Sequence, residues 1–200
     1  MHTSDLRIPD GHFAAYIFDC DGTLADTMPA HYRAWSSALG VHADKFPEAM
    51  HYELGGTPTA KILEIINERN GLNLPVAELL ETKEALFLTM IDEVKAIKSV
   101  VDLAIETSGI KPIAVASGGN RSVVISTLQA LGIADIFDAI VCSEDYLHGK
   151  PSPDPFLEAA RRLGVNPKDC LVFEDTASGI AAAEAAGMRW VLIPPPSKTP

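Results

Sequence analysis

Asp19 and Asp21 close an apolar run in the stretch YIFDCDGTLADT, residues 16–27, and Gly22-Thr23 follow at once. In an extended chain residues i and i+2 point to the same side, so both carboxylates face one place while Cys20 turns away. Two carboxylates in a small volume repel unless a cation joins them or one takes a proton, and either outcome is usable chemistry. Gly22 permits a sharp turn off the strand, and Thr23 adds a hydroxyl and an amide beside the pair. Acidic pairs also occur as solvated strand exits, so the meaning of this pair depends on what other strand ends bring to it.

Three further motifs follow apolar runs. VASGGN places Ser117 and the amides of Gly118 and Gly119 ahead of a helix N-terminus, which suits an oxyanion or a phosphate. HGKPSPDP carries Lys150, followed by prolines that stiffen the loop and aim the side chain. FEDTASGIAAAEAAGM brings Glu174 and Asp175 to another strand exit. In parallel α/β sheets ligands collect beyond the carboxyl ends of strands. Four such ends here deliver Asp-Asp, Ser-Gly-Gly, Lys and Glu-Asp.

The elements that must position them are legible as five short runs, 14–18, 112–116, 139–142, 170–173 and 190–193. Most lack polar alternation and are separated by helical patterns, as in a parallel sheet covered by helices on both faces. Asp154-Pro155 can cap and open a helix that Gly164 closes, and Gly132 and Gly187 sit just past two others. No repeat appears, and PPPSKTP at 194–200 reads as a loose tail. About ninety residues separate the first strand from the second, far more than a crossover helix requires. Within them Thr57-Pro58 starts a helix ending near Gly71, and Leu79, Leu80, Phe87, Met90, Ile91, Val94 and Ile97 form a long helical packing stripe. The expected organisation is an all-helical cap at 26–97 and an α/β core at 1–25 and 98–200, with a ligand between the two.

Composition narrows the classes. The 200 residues are 47% apolar, ample for a core, and the net charge of −11 offers no broad basic face to follow a nucleic acid backbone. A small anionic ligand remains compatible if a metal, a lysine or helix N-termini concentrate positive charge locally. The first thirteen residues show neither a secretory signal nor an anchor, and no run reaches the length of a membrane helix, so a cytoplasmic protein is expected. Cys20, Cys142 and Cys170 are scattered without C-x-x-C spacing and read as small buried thiols. The oligomeric state is open, and a monomer is compatible.

The motifs DCDGT, VASGG, GKPSPDP and FEDTASGIAAAEAAG, in this order, resemble those of the haloacid dehalogenase superfamily of phosphotransferases. The resemblance implies a Rossmann-like parallel sheet flanked by helices, with an all-helical cap inserted after the first strand. It makes Asp19 the nucleophile that becomes an aspartyl phosphate and Asp21 the general acid and base. Ser117 would bind phosphoryl oxygen, and Lys150 would neutralise the phosphate and hold Asp19. Mg2+ would be held by the carboxylates of Asp19 and Asp175 and the backbone carbonyl of Asp21, with Glu174 a further ligand acting through water. Such a site suits the positioning and charge neutralisation of phosphoryl transfer. The metal-free dehalogenases of the superfamily lack the second aspartate, so dehalogenation is disfavoured.

The stretches DTMPAHYRAW and LGGTPTAKI are similar to sugar-phosphate phosphatases and β-phosphoglucomutase. His31 matches a cap-hinge histidine of the mutase, although its position would equally suit an exposed helix surface. With Gly55, Gly56 and Thr57 it is expected to touch the substrate. The mutase pattern has a lysine and an arginine where Gly55 and Thr59 stand, and their loss favours water as acceptor. The expected activity is magnesium-dependent hydrolysis of a small phosphorylated metabolite, a sugar or polyol monophosphate. A β-phosphoglucomutase-type transferase is the alternative, and a phospho-accepting receiver-like signalling domain, which would not need the helical insertion, is the third reading.

Overall fold

The computed structural model describes residues 6–195. The tail expected at 194–200 falls outside them from residue 196 onward, as do the first five residues. In chain order the core elements are β1 (Ala15–Phe18), α5 (Lys98–Thr107), β4 (Ile113–Ala116), α6 (Arg121–Ala130), β5 (Ala139–Val141), α7 (Asp154–Leu163), β6 (Cys170–Glu174), α8 (Ala177–Ala185) and β7 (Arg189–Leu192). Between β1 and α5 lie β2 (Ala25–Asp26), α1 (Met28–Leu39), α2 (Glu48–Glu53), α3 (Thr59–Asn70), α4 (Val76–Leu88) and β3 (Lys95–Ala96).

The five core strands form one parallel sheet in the order β5-β4-β1-β6-β7. β1 is central and all four of its residues, AYIF, are buried, which is why its sequence shows no polar alternation. One face packs Tyr16, Phe18, Val115 and Phe173 against Val100 and Ala104 of α5 and Val124 and Leu128 of α6. Phe18 and Phe173 stack at 4.7 Å across paired strands. The other face sets Ile17, Ala114 and Val172 against Phe156, Ala159 and Ala160 of α7 and Ala182 and Ala183 of α8. Alanines on these helices let the backbone approach the sheet, and the parallel order β4-β1-β6 sets the carboxyl ends of these strands side by side.

The inserted segment is helical and enters and leaves through the antiparallel pair β2 and β3, in which Asp26 faces Lys95. α4 packs along α1 and α3, and Trp35, Phe46, Leu63 and Ile66 form a buried cluster of their own. Each such side chain contributes about 1.5–3 kcal/mol through burial. Gly71 closes α3 in the left-handed conformation.

Two expectations are corrected. The stripe from Leu79 to Ile97 is not one helix: α4 ends at Leu88, a 3-10 turn covers Ile91–Glu93, and β3 follows. Phe87, Met90, Ile91 and Val94 still pack inward, against Ala30 and Ala34 of α1 and Val123 of α6. Asp154 does not cap α7; its carboxylate accepts bonds from the Ser152 hydroxyl and the His148 amide, while Pro153 precedes the helix. The three cysteines are free and buried, and among the described residues no helix is long and apolar enough to cross a membrane.

Candidate active site

β1 ends at Phe18, and the chain then folds back on itself through Cys20, whose carbonyl accepts from the amides of Leu24 and Ala25. Gly22 makes this possible with φ of 87°, and a Cβ there would overlap the Asp175 carboxylate. Thr23 is buried and donates its hydroxyl to Asp175 Oδ1 at 3.1 Å, so the threonine after the turn fixes the acid of another strand end.

Lys150 is the electrostatic centre. Its Nζ, buried with the rest of the side chain, donates to Asp19 Oδ1 at 2.5 Å and to Glu174 Oε2 at 2.7 Å. Burial opposes the ammonium charge, but the two carboxylates outweigh it and raise its pKa. One lysine does not balance its acidic neighbours. Burial, then Glu174, pushes the Asp19 carboxyl well above the usual carboxylate range despite Lys150. The same two causes raise Asp175 to about 7.

Asp19, Glu174 and Asp175 each offer an oxygen within 4.8 Å of the others, a cluster of hard donors with surplus negative charge. That donor set fits a magnesium ion. The expected ligands do not contribute alike. Glu174 Oε1 already accepts from the amides of Asp175 and Thr176 and from the Thr176 hydroxyl, so its oxygens are largely occupied. The Asp21 carboxylate is not in the cluster and turns instead toward the inserted helices.

There it meets a chain of donors. Thr27 Oγ1 donates to Asp21 Oδ1 at 2.7 Å, and His31 Nε2 lies 3.2 Å from the same oxygen. Lys83 Nζ lies 3.1 Å from His31 Nδ1, so the ammonium donates to Nδ1 and leaves the Nε2 proton for Asp21. Burial, then Lys83, lowers the His31 pKa and keeps the imidazole neutral. Burial lowers Lys83 to about 8 although Asp21 and Glu84 oppose it. Burial works against the Asp21 charge too, but His31, Thr27 and Lys83 prevail and hold its carboxyl below the usual range. His31 is 7% exposed and stacks on Phe87 at 3.9 Å, so it is not a surface histidine.

Ser117, fully buried at the end of β4, places Oγ 3.5 Å from Asp21 Oδ2 and accepts from the Gly119 amide at 3.0 Å. The Gly119 amide therefore points at Ser117, not at an open cradle. Gly118 lies against the inserted loop: a Cβ there would stand 2.6 Å from the Gly56 carbonyl oxygen. Ser178 Oγ donates to the Gly55 carbonyl at 3.3 Å, a second tie between loop and core.

A cavity of about 60 Å³ lies between core and insertion. Asp19, Asp21, His31, Gly55, Gly56, Thr57, Gly118 and Gly119 all line it, together with Thr59. Lys150, Ser117, Glu174 and Asp175 are not part of its lining and reach it through Asp19 and Asp21, which Lys150 and Ser117 contact. Sequence reasoning missed Thr27, Lys83, His51, Glu84 and Asn120. Lys83 left one trace: it lies four residues from Leu79 and four from Phe87, on the apolar face of α4, where a lysine needs a buried purpose. His51 is buried, donates from Nε2 to the Met28 carbonyl at 3.0 Å, and is lowered to about 4, chiefly by burial.

Known proteins carry the same signature. Residues 13–187 match the family model for haloacid dehalogenase-like hydrolases. The chain is 40% identical to the fructose-1-phosphate phosphatase YqaB of Escherichia coli over 88% of its length and 94% of that protein. Among solved structures it resembles CbbY from Rhodobacter sphaeroides in complex with phosphate, with a TM-score of 0.80 and 26% identity over 91% of this chain and 86% of the other. It also resembles β-phosphoglucomutase from Clostridium difficile, with a TM-score of 0.77 and 29% identity over 89% and 83%. Parallel sheet, converging strand ends and family match agree that this chain belongs to the haloacid dehalogenase-like hydrolases, as a phosphatase.

Proposed function

We propose that the chain is a magnesium-dependent phosphatase of small sugar or polyol monophosphates that works through a phosphorylated Asp19. The observation that carries this reading is the buried Asp19, held at Oδ1 by Lys150, on the wall of a cavity that Asp21 shares. Among the described residues Asp19 Oδ2 accepts no hydrogen bond. That oxygen attacks phosphorus, the bond from phosphorus to the ester oxygen breaks, and the departing alkoxide takes a proton from the Asp21 carboxyl.

Asp21 is ionised while His31 and Thr27 face it, and an arriving phosphate dianion raises its proton affinity by like charge. In the second step Asp21 takes a proton from water, which attacks the acyl phosphate and regenerates Asp19. Proton transfer of this kind is worth about 10²- to 10⁴-fold. Magnesium bound by Asp19, Asp175 and the Asp21 carbonyl would offset charge between the carboxylates and the phosphoryl oxygens. Glu174 serves mainly by holding Lys150, and Ser117 by binding a phosphoryl oxygen.

Residues 26–97 act in this reading as a cap on the core. A cavity of about 60 Å³ holds a few waters and not a hexose phosphate. The cap therefore swings on its two connecting strands to admit substrate. Gly55 and Thr59 supply no charge for a second phosphate, which favours water over a sugar hydroxyl as acceptor.

Phosphate release from a panel of sugar and polyol monophosphates, with magnesium or excess chelator, tests the reading. Asp19→Asn should abolish release while keeping the circular dichroism and melting curve. Normal turnover by that variant would remove the covalent route. Conversion of β-glucose 1-phosphate to glucose 6-phosphate faster than phosphate release would establish the mutase instead.

A further inference from the structure

Glu84 stands on α4 beside Lys83 and lines the cavity, yet it has no part in the chemistry above. One of its oxygens, Oε2, accepts from Asn120 Nδ2 on the core side of the cavity. The Asn120 amide cannot turn freely, because Oδ1 caps α6 by accepting from the Val123 amide at 3.0 Å and also accepts from Ser122 Oγ at 3.1 Å. Asn120 therefore fixes where the Glu84 carboxylate sits. Among the described residues Oε1 accepts no hydrogen bond.

A partly buried carboxylate can take about four hydrogen bonds, so Glu84 keeps most of its accepting capacity toward the cavity. Burial raises its pKa, with Glu144 adding to the rise and Lys83 and Asn120 opposing it. A bond to Asn120 alone would be served as well by a neutral amide. Lys83 offsets part of the negative charge, and the unbonded Oε1 is left to a donor that arrives with the ligand.

We infer that Glu84 selects the leaving group: Oε1 accepts a hydroxyl of a neutral sugar or polyol, and its charge rejects esters that carry a second anionic group. This rests on the phosphatase reading and assigns that site its substrate class. A hydroxyl bonded to a half-buried carboxylate gains a charge-assisted bond. A second phosphate or a carboxylate would meet like charge there.

The test compares fructose 1-phosphate with fructose 1,6-bisphosphate, and glycerol 1-phosphate with phosphoglycolate. Turnover is read as kcat/KM for phosphate release. Affinity is read by calorimetry in magnesium on an Asp19→Asn background, so selectivity is measured even where turnover is absent. Glu84→Gln, which can still accept from Asn120, should shift both ratios at least tenfold toward the more anionic ligand, with an unchanged melting temperature. Unchanged ratios in both readouts would overturn the inference and leave Glu84 a structural tie. A wild-type protein that prefers the bisphosphate would overturn it while sparing the phosphatase reading. Absent turnover with the expected affinity shift would overturn the phosphatase reading and keep the selectivity.

Discussion

Lys83 is the cavity cation whose charge changes nearest to neutral pH, because burial lowers it to about 8 while its partners restrain the fall. As it loses its proton, the charged donor to His31 Nδ1 becomes a neutral amine that can accept as well as donate, so the imidazole is held less firmly in the tautomer that serves Asp21. kcat/KM should fall above an apparent pKa of about 8. Lys83→Met should remove that limb and lower the neutral-pH value about tenfold or more, since a hydrogen bond to a charged group is worth about 1.5–3 kcal/mol. The sign on stability is opposite. The folded pKa is lowered from an ordinary 10.5 to about 8, so the unfolded chain binds more protons between these values and stability rises as pH climbs through them. Relative to Lys83→Met, wild type should therefore gain melting temperature as pH climbs from about 8 toward 10. A pH profile that keeps its basic limb in the variant would assign that limb to another group.

The two loops that meet over the cavity do so with little clearance, and this is a property of elements. The segment between α2 and α3 presses Gly56 on Gly118 at the end of β4 and Pro58 on Gly149 before α7, where added Cβ atoms would stand 2.6 Å from their neighbours. Gly118→Ala should leave the sheet and the melting temperature nearly unchanged, because only the inserted loop has to move. It should lower kcat/KM about tenfold by spoiling closure, given how steeply misplacement affects reacting groups. A variant as active as wild type would mean that catalysis does not need this approach. Such contacts explain what a one-dimensional reading could and could not find. β1, β4 and β6 were legible because unbroken apolar runs ending in acids or Ser-Gly-Gly have few other uses. Asp19 and Ser117 could be named from those ends, and Lys150 from the proline-rich loop after β5. The junction at Thr89 was not legible, because an apolar stripe continues through turn and strand with nearly helical spacing. Lys83 and Asn120 escaped because their partners, His31 and Glu84, lie 52 and 36 residues away in sequence.

The whole molecule carries a formal charge of −11, and at the site three carboxyl groups, Asp19, Glu174 and Asp175, cluster with Lys150, which bonds the first two. In metal-free protein Asp175 titrates near 7 in the folded state against 3.8 ordinarily, raised by burial and by Glu174. Its folded pKa is raised, so the folded state binds more protons between about 4 and 7. The associated stability is full below the lower value and is lost as pH rises through the upper. In chelator, wild type should lose melting temperature relative to Asp175→Asn as pH climbs from 5.5 to about 7.5. The difference between the two proteins is the useful quantity, because His31 and His51 are lowered and push stability the other way over part of that window. Magnesium should reverse the tilt, since it competes with the proton for the same oxygens and binds better as they ionise. At 100 times its dissociation constant it stabilises by about 2.7 kcal/mol. For a chain of this size that amounts to a rise of roughly 5–10 °C. Asp175→Asn should lose most of the magnesium shift and the part of its pH dependence that Asp175 supplies, leaving what Asp19 contributes. Equal shifts in wild type and variant would place the ion elsewhere and separate Asp175 from the metal.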